Sequence, residues 1–222
     1  MRRSLTPLVA TLLVAALTFG GAQGEVETYL SANGSDPETT RGASRLLRYQ
    51  LEDFPVPVYV PLPPVAPPET ATGGVQTGGA SAPGSAAWRR QEVIRAFDAW
   101  AEAVPEIVSW TFVETPGEET LVVSWEDLPP NLAGSYRYAF SVTPSNEYRF
   151  RATRILLDPN TPEGDLYRFA LLQVGHALGL LGRSPFEGDA LSAVPSGVVS
   201  ERDVATLRAL YALPSGTVLH GD

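Results

Sequence analysis

Apolar residues recur at helical spacing in three segments of the chain. Between residues 88 and 104 they lie one, three or four positions apart, on one face of a helix: Val93, Ile94, Phe97, Trp100, Ala101 and Val104. Pro105 predicts the end of this helix, because proline lacks the helical N–H donor. A second helix is predicted from about 165 to 180, and residues 161–163, Thr-Pro-Glu, supply a capping hydroxyl and a first-turn proline before it. The third begins after Ser200, where Ser-Glu-Arg-Asp is close to a capping box; its buried face is predicted to hold Val204, Leu207, Leu210 and Tyr211.

Strand-like segments occupy the rest of the pattern. Residues 46–49 and 56–60 flank an acidic turn, and later segments rich in Val, Ile, Phe, Trp and Thr span 107–114, 120–125, 134–142 and 150–157. Pro55 and Pro57 confine the 56–60 strand to a sheet edge or to its own first residues, because proline cannot donate to a neighbouring strand. This order of elements predicts an α+β fold, with a mixed, twisted sheet backed by helices.

The first 24 residues have the organisation of an export signal. Arg2 and Arg3 precede an apolar run from 7 to 19, and residues 22–24, Ala-Gln-Gly, supply small side chains at a cleavage site. We predict a signal peptide over 1–24 and an exported protein, either secreted or held in the periplasm or cell envelope. The apolar run is shorter than the roughly 20 residues of a spanning helix, so no stable membrane span is expected after cleavage. A retained short membrane anchor is the alternative.

Composition divides the remaining chain into one domain and its flanks. Residues 25–45 are polar and predict an N-terminal arm, and 46–213 predict the folded domain. A Pro-, Gly-, Ser- and Thr-rich insertion without periodicity spans 61–85. Residues 214–222 are predicted to be a flexible tail. The 198 residues after the signal (222 minus 24) are enough for one domain with a sizeable core.

Charge and residue counts exclude several classes of function. The formal net charge is −9, and −11 (−9 minus 2) without the two arginines of the signal, which argues against a nucleic-acid partner because such a partner needs a basic face. The chain has no cysteine, which excludes disulfides, cysteine zinc ligands and a cysteine nucleophile. Its only histidines are His176 and His220, so no mechanism can draw three imidazoles from it.

The stretch from 171 to 184 reads LLQVGHALGLLGRS. Metzincin proteases carry H-E-x-x-H-x-x-G-x-x-H, with three zinc-binding histidines and a glutamate that acts as the base. His176 and Gly179 stand in register with the central histidine and the glycine of that pattern. The stretch therefore resembles a metzincin active-site helix and turn, and Gly175, Leu178 and Leu180 are residue types that the matrixin branch uses there.

Other segments extend this resemblance to most of residues 46–213. Residues 200–211, SERDVATLRALY, resemble the closing helix of the matrixins, which tends to read L-S-x-x-D-I-x-x-I-x-x-L-Y-G. The helix at 88–104 resembles the first long helix of the family, and 154–158 resemble the strand before the active-site helix. The resemblance implies a metzincin, matrixin-like fold with an active-site-type helix and a C-terminal helix.

Departures from the family pattern fall on the residues that carry the chemistry. Leu172 and Gly182 stand at the positions of the outer zinc ligands, and Ser192 stands where the family has a methionine beneath the metal. Gln173 stands at the general-base position, where an amide can form hydrogen bonds but cannot accept a proton. His176 would remain only as a remnant of the metal site, and no catalytic residue is intact.

Two interpretations of the metal site follow. We expect no cofactor, with Leu172 packed near the His176 ring where a metal would otherwise lie, and with His176 partly buried and paired with a backbone or side-chain acceptor. The alternative is an active zinc-dependent metalloendopeptidase with a non-standard ligand set, in which Glu187 and Asp189, which follow the motif closely, replace the lost imidazoles. His220 is a less favoured substitute ligand.

The partner predicted for a degenerate protease is a peptide or protein in the former substrate cleft. Tyr136 and Tyr138 lie on a predicted edge strand, and in active relatives such a strand pairs with the extended substrate. The sequence therefore predicts an exported pseudo-metallopeptidase that serves as a binding or structural module. An exported α+β domain unrelated to this family is the remaining alternative.

Overall fold

A mixed sheet of five strands carries the fold. The computed structural model describes residues 26–32, 44–64, 83–129 and 132–220. The strands are β2 (Val56–Tyr59), β3 (Trp110–Phe112), β4 (Leu121–Trp125), β5 (Gly134–Val142) and β6 (Tyr148–Leu157), and their order is β3-β2-β4-β6-β5. The β3-β2, β2-β4 and β4-β6 pairs are parallel, whereas β5 runs antiparallel to β6 at one end of the order. With three α-helices in the described residues, the α+β prediction is confirmed.

The prolines of β2 lie at the start of the strand, which is the second of the two placements predicted for them. β2 lies inside the sheet between β3 and β4 and is not an edge strand. Pro57 pairs in register with Thr111 of β3, but pairing with β4 begins only at Val58. Pro57 therefore lies where β2 has no β4 neighbour, and its missing N–H costs no hydrogen bond on that side.

Each of the three helices starts as local chemistry requires, with one exception. In α1 (Ala86–Ala103) the Ser85 hydroxyl accepts from the Trp88 N–H at 3.1 Å, and α3 (Glu201–Ala212) begins with a complete capping box between Ser200 and Asp203. The exception is α2 (Glu163–Ala177), whose N-cap is Pro162 without any side-chain cap. The prediction that Thr161 caps this helix is therefore wrong.

The segment from 46 to 49 is buried but is not the predicted strand. It forms one isolated bridge, between Arg48 and Arg149, and the acidic turn after it is a short 3-10 helix, Leu51–Asp53. Leu46 and Leu47 are 1% and 3% exposed and belong to the core. Apolar content marked the segment as buried, but the pairing of its backbone depends on β6, more than 100 positions away.

Both flanks of the domain pack onto it. Tyr29, in the predicted arm, is 2% exposed; its hydroxyl donates to Asp203 at 2.5 Å, and its backbone N–H donates to the Thr206 hydroxyl at 3.2 Å. Beyond α3, β7 (Val218–His220) pairs antiparallel with β1 (Ser44–Arg45). The prediction of a flexible tail is therefore wrong for 214–220. The predicted signal peptide at 1–24 and most of the insertion at 61–85 lie outside the described residues, and no helix in the described ranges is long and apolar enough to cross a membrane.

The contact between α1 and α2 forms the centre of the core. Trp100 of α1 is fully buried, and its indole N–H donates to the Leu171 carbonyl of α2 at 2.9 Å. A Cβ atom added at Gly175 would lie 2.6 Å from Leu191 Cδ1 and 2.9 Å from Trp100 Cζ2. Close packing of α2 against α1 and the following loop thus requires glycine at position 175. The lower helix propensity of glycine is the free-energy cost of bringing these elements so close.

Candidate functional site

A tight glycine turn ends α2 and sets the geometry of the motif. Gly179 has a φ of +104°, and a Cβ atom there would lie 2.7 Å from the Leu47 carbonyl oxygen. The N–H groups of Gly179 and Leu180 donate to the His176 and Gly175 carbonyls at 3.0 and 3.1 Å. These bonds close the helix and bring the Leu180 carbonyl back to the His176 ring. α2 ends at Ala177, three residues before the predicted end.

The imidazole of His176 is partly exposed and is used by the turn itself. Its Nδ1 lies 2.6 Å from the Leu180 carbonyl oxygen, and because a carbonyl can only accept, Nδ1 carries the proton. Burial is the main reason that the pKa of His176 is lowered to about 4; the hydrogen bond to the Leu180 carbonyl opposes this shift, and the positive charge of Arg183 adds a smaller lowering. The ring is therefore neutral at pH 7, and only Nε2 keeps a lone pair for a ligand.

The neighbours of His176 do not complete a zinc site. Leu172, one turn before it, is 1% exposed within the hydrophobic core, and Gly182 has no side chain. Structural and catalytic zinc sites need three or four N, S or O ligands from protein side chains. Among the described residues, no group of three or more His, Cys, Asp or Glu side chains is placed to hold a metal ion. The residues present do not fit the three-histidine zinc site of the metzincins, whose motif this stretch resembles.

Glu187 and Asp189, the two carboxylates of the alternative ligand set, have different surroundings. Asp189 is 2% exposed and accepts from the Ser184 and Ser200 hydroxyls at 2.5 and 2.7 Å, with Arg202 Nη1 3.4 Å away. Glu187 is exposed on the same loop. Asp189 is thus a buried structural carboxylate whose oxygens are already bonded, and Glu187 does not join it in a metal cluster. His220 ends β7 opposite Ser44.

A second buried carboxylate continues this polar network. Asp203 is fully buried, accepts from the Ala190 and Ser200 N–H groups at 2.8 and 2.9 Å, and receives the Tyr29 hydroxyl. Ser192, at the family's methionine position, is 3% exposed and donates to the Val194 carbonyl at 2.5 Å. The loop after the motif is thus held by hydrogen bonds to the start of α3, and Asp203 joins the same network to the N-terminal arm. Only the capping box of α3 signalled this network in the sequence.

Gln173 lies directly beneath the start of the edge strand. It is 3% exposed, and its Cγ and Nε2 would lie 3.2 and 3.3 Å from a Cβ atom added at Gly134 of β5. Its Oε1 is buried without a hydrogen-bond partner among the described residues. The helix that carries the motif is therefore packed against the inner face of β5, and an amide occupies the place of the base.

The two tyrosines of β5 point to the same inner face. Their rings are 5.6 Å apart, and Phe150 lies 6.1 Å from the Tyr136 ring and 5.6 Å from the Tyr138 ring. The Tyr136 hydroxyl is buried without a hydrogen-bond partner among the residues that the structure describes, and burial raises the pKa of Tyr136 well above its usual value. Neither ring lies along the edge itself. What β5 offers to a partner is its outer row of backbone groups, since no further strand pairs with it in the described residues.

Comparison with known proteins assigns no class to this chain. No protein-family model and no curated protein matches it.

Proposed function

We propose that this chain is an exported, matrixin-like peptidase-fold protein that has lost protease chemistry and binds an extended peptide or protein segment. Three features support the ancestry: the motif string, the α3 capping box in the closing-helix string, and a mixed sheet whose antiparallel edge strand lies over the motif helix. The contact between Gln173 and Gly134 places that helix against β5. Export rests on the signal-like residues 1–24.

One observation carries the loss of chemistry: the side chain at the first ligand position belongs to the hydrophobic core. Leu172 is 1% exposed and lies one helical turn from His176, on the face that would meet a metal. An unpaired imidazole at that depth would cost free energy, whereas leucine gains it, by about 1.5–3 kcal/mol for full burial. This position contributes to folding in place of metal binding.

The base position supports the same conclusion. Hydrolysis by a zinc-bound water requires a group that takes a proton from that water. The Gln173 amide has no basic site near neutral pH, and the described residues contain no group of three or more His, Cys, Asp or Glu side chains that could hold a metal ion. A site with one imidazole, an amide at the base position and a packed ligand position supports binding of a segment without its hydrolysis.

The binding surface we propose is the outer edge of β5. In the described residues β5 is a nine-residue strand at the end of the sheet, and an extended segment can add along its outer row of backbone groups as a further strand. The inner face of β5 is fixed by the aromatic contacts of Tyr136 and Tyr138, so the edge is held rigid before a partner arrives.

Metal analysis and a protease assay test the loss of activity. We expect purified protein, dialysed against zinc and then against metal-free buffer, to retain less than stoichiometric zinc and to leave casein uncleaved. Stoichiometric zinc together with casein cleavage that a chelator abolishes would establish the rival function, an active zinc endopeptidase with a non-standard ligand set.

Backbone-modified peptides test the proposed binding mode. An unbiased array of extended nine-residue peptides identifies binders, and each binder is resynthesised with N-methyl groups on alternate amides, which removes the donors along one edge. We expect one of the two methylated registers to lose binding and the other to keep it. Binding that survives both methylation patterns would exclude strand addition, and hydrogen exchange of the β5 amides then locates the true contact.

A further inference from the structure

The outer face of β5 and β6, which is the face opposite α2, is basic. Arg137 and Ala139 of β5 are exposed there, as are Arg151, Ala152 and Arg154 of β6. Small alanine side chains leave the guanidinium groups uncovered. This face differs in sign from the chain as a whole, which holds 25 acidic and 16 basic residues.

Two of these arginines oppose each other directly. Arg137 of β5 and Arg154 of β6 are register partners in the antiparallel pair. Like charges at directly opposite positions destabilise a sheet, because their Cβ atoms are only about 5 Å apart. Repulsion between the two guanidinium groups therefore lowers the stability of the sheet unless an anion lies over the pair.

The described residues do not supply that anion. No ion pair involves Arg137, Arg151 or Arg154 in the described part of the chain, and the nearest partner of Arg151 is neutral, the Ser141 hydroxyl at 2.8 Å. The neighbouring Arg149 shows the contrast, since it pairs with Glu52 at 3.0 Å and Glu147 at 3.2 Å. Within the described residues, the three arginines of the basic face thus have no acidic partner.

A shallow cavity of about 400 Å³ lies on this face between the two opposed arginines and the start of β4. Thr120, Val122 and Ala152 line it with Arg137 and Arg154, and Glu118 at its rim is its one carboxylate. A strand added at the edge of β5 would lie one strand spacing, about 4.8 Å, from β5 and twice that from β6. Alternate side chains of such a strand would stand over the basic face.

We infer that the segment that pairs with β5 is acidic at alternate positions, with carboxylates on the outer face over Arg137 and Arg154. This inference rests on the proposed strand addition and names the partner's chemistry. Side chains of the segment on the other face meet the inner side of β5, where the aromatic rings lie, and are apolar. The attraction acts within roughly one Debye length, about 10 Å at 0.1 M salt, so binding weakens as salt rises.

Two capped nine-residue peptides test this directly: one alternates Glu with Val, and its matched control alternates Gln with Val. Titration of fluorescently labelled peptide into the intact chain at 50 mM and 500 mM salt gives the two dissociation constants. We expect the Glu peptide to bind roughly three- to tenfold more tightly at low salt, with the difference shrinking at high salt.

Matched protein variants assign the preference to this face. The double variant R137Q/R154Q should bind both peptides alike. The control variant R95Q/R208Q removes the same charge from α1 and α3, at side chains that are 56% and 54% exposed, and should keep the preference.

The outcomes separate the two levels of the proposal. Equal affinities for the Glu and Gln peptides in the wild-type chain overturn the acidic preference and leave strand addition standing. A preference that survives in R137Q/R154Q also overturns it, because the carboxylates then lie elsewhere. If neither peptide binds while the array yields other strand-adding peptides, the acidic pattern is wrong; if the array yields none, the proposed function fails as well.

Discussion

Gly175 offers the sharpest test of how the motif helix is held. In G175A, the new methyl group would meet Leu191 at 2.6 Å and Trp100 at 2.9 Å, where heavy atoms normally stay beyond about 3.4 Å. The helix itself should gain about 1 kcal/mol, since alanine is the better helix former. Overpacking of a filled core costs about 1–3 kcal/mol, and Trp100 cannot move freely because its indole is bonded to Leu171.

We therefore expect G175A to lower the free energy of unfolding by up to about 2 kcal/mol, measured by urea denaturation at pH 7. G164A is the matched control in the same helix, because a Cβ atom at Gly164 meets nothing within 4 Å. That variant should be neutral or more stable by up to about 1 kcal/mol. The double variant G175A/L191A should be less destabilised than the sum of its parts, since removing the Leu191 methyls relieves the overlap. A stabilising G175A would refute the packing argument.

Three further predictions address the histidine, the arm and the lost ligands. The pKa of His176 is lowered to about 4, against about 6.5 in the unfolded chain, so the unfolded chain binds a proton at a higher pH than the folded chain does. The free energy of unfolding should therefore fall, by at most about 3 kcal/mol, as the pH drops from about 6.5 to 4. Urea denaturation of H176N at these two pH values should lack this His176-dependent loss. Y29F removes the donor to buried Asp203 and should cost about 1.5–3 kcal/mol; a change below 0.5 kcal/mol, by the rough scale of surface substitutions, would mean that the arm does not hold the domain. A triple variant restores the family's metal-site residues: L172H, Q173E and G182H. It should unfold at lower temperature without zinc, because imidazole enters the core, and regain melting temperature when zinc is added; a melting temperature that ignores zinc would show that the surrounding loops no longer fit a metal.

Most of the secondary structure could be predicted because its signals are local. The stripe of apolar residues ending at Val104, the cap at Ser85 and the capping box at Ser200 each act within one or two helical turns, and α1 and α3 form where these signals place them. The errors fall where local chemistry is replaced by distant contacts. Thr161 has the right chemistry for a cap, but its side chain is buried and does not cap α2. Pro57 lies in the first residues of β2, as predicted, and is tolerated inside the sheet because pairing with β4 begins one residue later.

The candidate site divides in the same way. The sequence alone shows that the chain has only two histidines, and it shows a leucine and a glycine at the ligand positions and an amide at Gln173. Together these residues exclude the three-imidazole zinc set of the metzincins from this chain. The roles of the carboxylates could not be predicted from the sequence, because an acidic residue in a polar loop can be solvated, bind a metal or join a buried hydrogen-bond network. Asp189 became a structural anchor only through hydroxyls 5 and 11 positions away.

By itself, then, the sequence determined the helices, the fold class and the absence of a full set of imidazoles, since these depend on periodicity, capping and counting. The tertiary structure decided how β5 ends the sheet over Gln173, which arginines face each other across β5 and β6, and how Tyr29 and β7 bind the flanks to the domain. The physical reason is the distance along the chain over which each effect acts. A helix propensity or a cap acts over a few residues, whereas strand order and register depend on contacts between segments that are far apart in sequence, and no local pattern indicates those contacts.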